Sequence, residues 1–182
     1  HGLRNIAVLE RGWLGGGNSG RNTQTVRSNY FHPHSARFYD HSLKLYESLG
    51  RELNINVMLS QRGVVTLAHS NHELESLRRW SNAVRLNGID SELLPLSELY
   101  AMEPLLNRQS RFPIAGAFVQ RRAGIVRHDA VVWGYARAAS ALGVDIIERC
   151  EVERIETQGG RVCTLRTSRG RIETGRIALT AA

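Results

Sequence analysis

The feature that most constrains this chain is a short apolar strand that ends in a carboxylate and runs into a glycine-rich segment. Residues 6–10 read Ile-Ala-Val-Leu-Glu, and residues 12–20 are rich in glycine. In dinucleotide-binding folds, a carboxylate at the end of the second strand binds the ribose hydroxyls of the cofactor. Glu10 is a candidate for that role. The spacing is also open to a simpler interpretation, in which Glu10 is only the first polar residue after a buried strand.

The segment that follows carries polar side chains among its glycines. Glycine lets backbone N–H groups approach a pyrophosphate or an aromatic ring closely. Asn18, Asn22 and Thr23 can hydrogen-bond the edge of a polar heterocycle, and Arg21 can pair with a phosphate. The alternative is a flexible surface linker, although the neighbouring Trp13 is unusual beside a linker.

Two further residues are candidates for a site. Arg27 lies soon after the polar segment, where a guanidinium is suited to clamp the carboxylate of a substrate. His128 and Asp129 precede an apolar periodic segment, so both are placed at a helix N-terminus, with Asp129 as a good cap. The helix dipole favours a neutral, nucleophilic His128. An exposed arginine and a histidine at a helix surface remain the alternatives.

Apolar periodicity and turn residues predict an α/β or α+β chain. Helices are expected at 35–49, 72–87 and 129–142, with a short one between Ser97 and Pro104. Asn71 is the expected N-cap of the second helix. Strands are expected at 6–10, 57–60, 63–68, 115–120, 144–148, 151–156, 161–167, 171–173 and 176–182. Both ends of the sequence interrupt predicted strands, so we expect a fragment of a longer protein.

Composition argues against a membrane-spanning protein and a histidine metal site, and it shows an excess of arginine that needs an explanation. No stretch has the roughly 18 apolar residues of a membrane helix, and His32, His34 and His41 lack the partners of a metal site. Two cysteines fit a reducing cytoplasm. The net charge is +7, and Lys44 is the only lysine among 24 basic residues. This arginine excess is compatible with nucleic acid, anionic ligands or biased codon usage.

Several stretches, in their order along the chain, resemble a known family. They are residues 6–18, Arg21-Asn22-Thr23 with 26–30, residues 60–64, Asn82 with 85–90, and 120–129 into Trp133. Together they resemble the beta subunits of heterotetrameric sarcosine oxidases. These belong to the FAD-dependent amine and amino-acid oxidases, which include D-amino-acid and glycine oxidases.

The resemblance implies a Rossmann-like FAD-binding domain interleaved with a substrate domain built on a mixed or antiparallel sheet. It assigns residues 1–56 and 129–182 to the first domain and 57–128 mainly to the second, at the FMN interface. The first βα unit, with its GxGxxG-like turn, and the C-terminal half of the domain pair would lie outside this sequence. We therefore expect residues 1–182 to be inactive alone.

The resemblance also implies a reaction and its site residues. Sarcosine is oxidatively demethylated to glycine and a one-carbon unit, and electrons pass from noncovalent FAD to covalent FMN and then to oxygen, giving hydrogen peroxide. Arg27 resembles an arginine that holds the substrate carboxylate, and His128 matches the histidine that carries the covalent FMN. Arg127-His128 would distinguish a two-flavin enzyme from single-flavin relatives, which usually have Asp-Pro in this region. The implied FAD-binding residues are Glu10, Arg11, Asn18, Arg21, Asn22, Thr23, Thr25 and Val152.

The implied partners are an alpha subunit, which could use tetrahydrofolate or NAD, and smaller subunits of a hetero-oligomer. The substrate would be a small amine, with neither nucleic acid nor a membrane involved. Two other functions remain open at this point. One is a related dehydrogenase of dimethylglycine, glycine or proline-type substrates that passes electrons to a carrier. The other is an arginine-rich nucleic-acid-binding module, which strongly salt-dependent DNA binding would favour.

Overall fold

The structure is a computed structural model that describes residues 2–180. Its helices are α1 (Pro33–Glu52), α2 (Asn71–Leu86), α3 (Leu96–Met102) and α4 (His128–Ala141), and one 3-10 turn spans Asn18–Gly20. Its strands are β1 (Ala7–Leu9), β2 (Thr25–Val26), β3 (Val64–Ala68), β4 (Glu92–Leu94), β5 (Gly116–Gln120), β6 (Gly124–Ile125), β7 (Asp145–Ile147), β8 (Val152–Gln158), β9 (Arg161–Thr167) and β10 (Gly170–Glu173). The predicted mixed α/β class is confirmed.

The chain divides into two compact units whose segments interleave along the sequence. The first contains the chain up to Thr23, Leu53–Val57 and the chain from Arg127 onward. The second contains Gln24–Glu52 and Met58–Val126. These bounds differ from the predicted segments, since residues 24–52 lie in the second unit although 1–56 were placed together. The cause is long-range pairing that the sequence does not display, because β2 pairs with β6 and Ala36 of α1 packs with Val84 of α2.

The second unit is built around β5, the central strand of the antiparallel sheet β3-β5-β4. All five residues of β5 are buried. Because side chains alternate across a strand, Phe118 packs with Ala68 and Leu77 on one face. Ala117 and Val119 pack with Leu94 and Leu99 on the other. The antiparallel sheet predicted for this part of the chain is confirmed.

The helices of the second unit follow their apolar residues. Pro33 is the first residue of α1, where its missing N–H is not needed. Leu43 and Leu49 are buried, whereas Tyr39, one turn before Leu43, is 38% exposed. Helix α2 is capped by Ser70, not by the expected Asn71, because the Ser70 hydroxyl accepts the hydrogen bond from the Glu73 amide. The capping residue therefore lies one position earlier than predicted.

The first unit combines a parallel strand pair with an antiparallel meander. Strand β1 pairs in parallel with β7, and β8, β9 and β10 form a separate three-stranded antiparallel sheet. Helix α4 leads into β7 and packs through Gly134, whose Cα lies so close to Leu53 and Ile55 that a Cβ would meet Ile55 at 2.9 Å. Gly134 is buried in this contact, whereas Leu142, which follows α4, is 86% exposed.

Three other expectations about elements were wrong or incomplete. Residues 57–60 form no strand, because only Ser60 makes a single bridge to Ile125. The segment predicted as strand 176–182 has no regular structure over 176–180, where no described strand pairs with it, and its last two residues lie outside the described part. Strand β4 was not predicted because residues 92–94 begin with an exposed glutamate.

Within residues 2–180, no helix combines the length and the apolar character that crossing a bilayer requires. The same part of the chain contains no group of three or more His, Cys, Asp or Glu residues that could hold a metal ion.

Candidate functional site

Glu10 lies in the first unit, immediately after β1, and is held there by β7 and the residues that follow it. The Glu10 amide donates to the Ile147 carbonyl at 3.0 Å, and the Glu10 carbonyl accepts from the Cys150 amide at 2.9 Å. Its Oε1 accepts from the Gly12 amide at 2.7 Å. Within residues 2–180 this half-buried carboxylate makes no other hydrogen bond, so Oε2 is left for a hydroxyl donor.

The glycine-rich loop is hydrogen-bonded to the residues that follow β7, so it is not the flexible linker of the alternative interpretation. The Gly12 carbonyl accepts from the Arg149 amide at 2.8 Å, and Glu148 Oε1 accepts from the Leu14 amide at 2.6 Å. Glu148 was missed by sequence reasoning. The available signal was that it follows the apolar segment of β7 just as Glu10 follows β1, and carboxyl ends of parallel strands meet at one sheet edge.

The loop then closes on itself in tight turns. The Gly16 amide donates to the Trp13 carbonyl at 2.9 Å, and the Gly20 amide donates to the Gly17 carbonyl at 3.1 Å. A Cβ on Gly20 would lie 2.3 Å from the Gly15 carbonyl oxygen, so only glycine fits this closure. Around Gly17, by contrast, a Cβ would meet nothing within 4 Å.

Among the polar residues predicted to bind FAD, Asn22 also has a structural role. Its Nδ2 donates to the carbonyls of Asn18 at 3.1 Å and Ser19 at 2.6 Å, which closes the 3-10 turn. Asn18, Arg21 and Thr23 are exposed, as is Arg11. All of these residues lie in the first unit, as Glu10 does.

Val152 lies two residues after Cys150, which is hydrogen-bonded to Glu10 at the end of β1. It begins β8 and pairs with Thr167 of β9. Two residues earlier, the Cys150 amide donates to the Glu10 carbonyl. The Val152 side chain is 40% exposed. Its contact with FAD stays a prediction, but Val152 is only two residues from Cys150, whose amide bonds to Glu10.

His128 is the first residue of α4 and is half-buried. Arg127 occupies the N-cap position, so Asp129 lies in the first turn and is not the cap that was expected. The Arg127 guanidinium donates to both carboxylate oxygens of Asp129, at 3.1 and 2.7 Å. These bonds and the Ala130 amide lower the pKa of Asp129 to about 2. At neutral pH the helix start therefore carries a compensated ion pair next to His128.

Arg27 and Thr25 lie in the second unit, Thr25 within β2 and Arg27 directly after it. The Arg27 guanidinium stands over the Tyr30 ring, 4.5 Å from its centroid, and Tyr30 stacks on Tyr39 at 4.0 Å. Arg27 Nη1 donates to Asn29 Oδ1 at 2.6 Å. Burial raises the pKa of Tyr30 above its ordinary value, and the nearby Arg27 opposes that rise.

A buried polar network behind Arg27 was also missed. Ser28, Asn29 and Gln120 are fully buried. Gln120 Oε1 accepts from the Ser28 amide at 2.9 Å and from the Asn29 amide at 3.1 Å. A glutamine that ends an apolar strand was the visible signal, but its partners lie some ninety residues away in sequence.

A strand that ends in a carboxylate and a glycine-rich loop tied to the neighbouring parallel strand are features of the dinucleotide-binding α/β class of proteins. The sequence model of the FAD dependent oxidoreductase family matches residues 1–182, so this chain belongs to that family. Among curated relatives, it is 50% identical to "Sarcosine oxidase subunit beta" of Rhizobium meliloti (strain 1021) over 182 residues, which is all of this chain and 44% of that protein. It is 46% identical to the protein of the same name from Arthrobacter sp, again over all of this chain and 45% of that protein.

Solved structures give the same fold. The L-proline dehydrogenase from P. horikoshii matches with a TM-score of 0.84 at 20% identity, over 93% of this chain and 44% of that one. The glycine oxidase from Geobacillus kaustophilus also matches with a TM-score of 0.84, at 24% identity, over 93% of this chain and 46% of that one. The chain thus spans less than half the length of the proteins it matches.

The closure at Gly20 gives a test of the loop geometry. Gly20→Ala forces a Cβ against the Gly15 carbonyl oxygen, so we expect the free energy of unfolding to fall by about 1–3 kcal/mol. Thermal unfolding of the full-length protein measures this, with Gly17→Ala as the matched control in the same loop. A Gly20→Ala variant as stable as the control would contradict the tight closure.

Proposed function

We propose that this chain is part of the FAD-binding subunit of an enzyme that oxidatively demethylates sarcosine (N-methylglycine) to glycine and a one-carbon unit. The curated relatives named sarcosine oxidase subunit beta, at 50% and 46% identity over the whole chain, support the substrate. The observation that carries the proposal is Arg27, a half-buried guanidinium held on an aromatic ring and paired with no carboxylate of the described residues.

The residues of the first unit fit an FAD molecule. Glu10 has a carboxylate oxygen available to ribose hydroxyls, and the loop around Gly17 has space for a group to approach its backbone. Arg11 and Arg21 are exposed cations for the pyrophosphate, and the polar side chains of Asn18, Asn22 and Thr23 and the backbone of Val152 belong to the same proposed set. Thr25 of the second unit is the remaining proposed member. When bound, FAD supplies the two-electron acceptor for the substrate.

Arg27 would bind the carboxylate of sarcosine, and so fix which end of the substrate faces the reacting centre. Its planar fork of N–H donors matches a carboxylate bidentately. Because Tyr30 covers one face of the guanidinium, donors remain at its edge. In the reaction, the N-methyl group would lose a hydride equivalent, with its two electrons going to bound FAD, and the amine nitrogen would lose a proton, so that a C=N double bond forms. Water would then add to that bond and release glycine and formaldehyde, which tetrahydrofolate in a partner subunit could capture.

We further propose that His128 carries a covalent FMN. A neutral imidazole is a suitable nucleophile, and the compensated Arg127–Asp129 pair leaves little net charge beside it. Electrons from the substrate would then leave through this second flavin to oxygen, with hydrogen peroxide as the product. An alpha subunit and smaller subunits are the proposed partners, and the cytoplasm is the proposed location.

Removal of the guanidinium tests the substrate assignment. Charge-assisted hydrogen bonds contribute about 1.5–3 kcal/mol each, so Arg27→Met should lower kcat/KM for sarcosine by about 100-fold or more. For the uncharged substrate N-methylglycinamide, the same substitution should lower kcat/KM far less. Anaerobic flavin reduction by both compounds, with the full-length assembly, measures the difference. Equal losses for the two compounds would show that Arg27 does not read the carboxylate.

The flavin attachment is tested separately. The full-length assembly should retain flavin fluorescence after acid precipitation, and the modified peptide should contain His128. His128→Ala should abolish this covalent signal and keep the noncovalent flavin, whereas the control His72→Ala, on the exposed surface of α2, should keep both. Covalent flavin that survives in His128→Ala would overturn the assignment.

A further inference from the structure

Asn29 holds the guanidinium of Arg27 by its edge. Its Oδ1 accepts from Arg27 Nη1 at 2.6 Å. Tyr30 holds the same guanidinium by its face, at 4.5 Å from the ring centroid. A contact at the edge and a contact over the face together restrict the rotation of this planar group. The remaining N–H donors of Arg27 are therefore fixed in direction before any ligand arrives.

Asn29 is itself fixed from several directions. Its side chain is fully buried. Its amide donates to Gln120 Oε1 at 3.1 Å, and its carbonyl accepts from Trp80 Nε1 at 2.9 Å. The two anchors come from β5 and α2, which pack on each other through Phe118 and Trp80. The position of Asn29 is thus set by the core of the second unit and not by the exposed loop.

The charge of the acceptor matters as much as its position. Asn29 is neutral, so it orients Arg27 without compensating its charge. Arg122 in the same unit is the opposite case, because Glu47 and Asp40 lie 2.6 and 3.3 Å from its guanidinium. Within residues 2–180 no carboxylate forms an ion pair with Arg27. Its charge is left available to an anion from outside.

The unpaired side-chain amide nitrogen of Asn29 also indicates that this residue is present for its contact with Arg27. Its Nδ2 is buried and has no hydrogen-bond partner among the described residues. A buried unpaired donor is destabilising, and a leucine of similar volume would avoid that cost. Asn29 is therefore not explained by the packing of its own surroundings, whereas the contact of its Oδ1 with Arg27 explains it.

We propose that Asn29 is a positioning residue that orients Arg27 with a neutral acceptor, so that the full positive charge is presented to the substrate carboxylate. This rests on the proposed function, in which Arg27 binds that carboxylate. Asn29 touches the arginine and not the substrate. It therefore sets the preference for a carboxylate substrate over an uncharged one, and not the rate of the chemistry as such.

The test compares two substrates in the full-length assembly. For each variant, kcat/KM is measured with sarcosine and with N-methylglycinamide, and the ratio of the two is the readout. Asn29→Asp keeps the acceptor but adds a charge that competes with the substrate, so the ratio should fall by about tenfold or more. Asn29→Leu removes the acceptor and should lower the ratio by a smaller factor. If the Asn29→Asp variant does not assemble, the ratio measured for Asn29→Leu tests the positioning role by itself.

The controls separate the possible failures. Asn87→Asp makes the same exchange at the C-terminal end of α2 and should leave the ratio unchanged. If both Asn29 variants lose activity equally with the two substrates, or keep the normal ratio, the positioning role is overturned. If Arg27→Met also keeps the normal ratio, the proposed function fails with it. If Arg27→Met alone abolishes the preference, only the role of Asn29 is wrong.

Discussion

The side-chain amide of Gln120 is the contact on which the arrangement of Arg27 depends. Its Oε1 accepts from the amides of Ser28 and Asn29, and its Nε2 donates to Ser28 Oγ at 2.8 Å and to Asp90 Oδ1 at 3.0 Å. All four hydrogen-bonding positions of the amide are used, as a fully buried polar group requires. A non-repetitive segment is thereby bound to the central strand of a sheet. The backbone next to Arg27 is therefore held in place by hydrogen bonds to β5, a strand whose residues are all buried.

The surplus of arginine has an internal explanation in part. Arg122 bridges to Asp40 and Glu47, Arg121 pairs with Glu92, and Arg171 pairs with Glu156. Arg137 donates to the carbonyls of Leu53 and Asn54, at 2.7 and 2.6 Å, where the chain leaves α1. Exposed pairs of this kind add little stability, but they occupy the guanidinium groups. Arg27 differs from Arg121, Arg122 and Arg171 because its side-chain partner is the neutral Asn29 and not a carboxylate.

The sequence predicted local features well and long-range ones poorly. Apolar residues and turn signals placed α2, α4 and β5 within a few residues, because these cues are local in the sequence. The two-residue strands β2 and β6 carry no periodic signal, and it is their pairing that takes residues 24–52 into the second unit. In the candidate site, Glu10 and the glycine-rich loop could be predicted from order along the chain. Glu148, Asn29 and Gln120 could not, because their roles arise from contacts between residues far apart in sequence.

Anaerobic mixing of the full-length assembly with sarcosine tests the central claim most directly. If a carboxylate-binding Arg27 serves a flavin site, the bound flavin should lose its oxidised absorption on adding sarcosine, and glycine should appear in step with that loss. Hydrogen peroxide should form once oxygen is admitted. A preparation that contains bound flavin but stays fully oxidised with sarcosine would contradict the account.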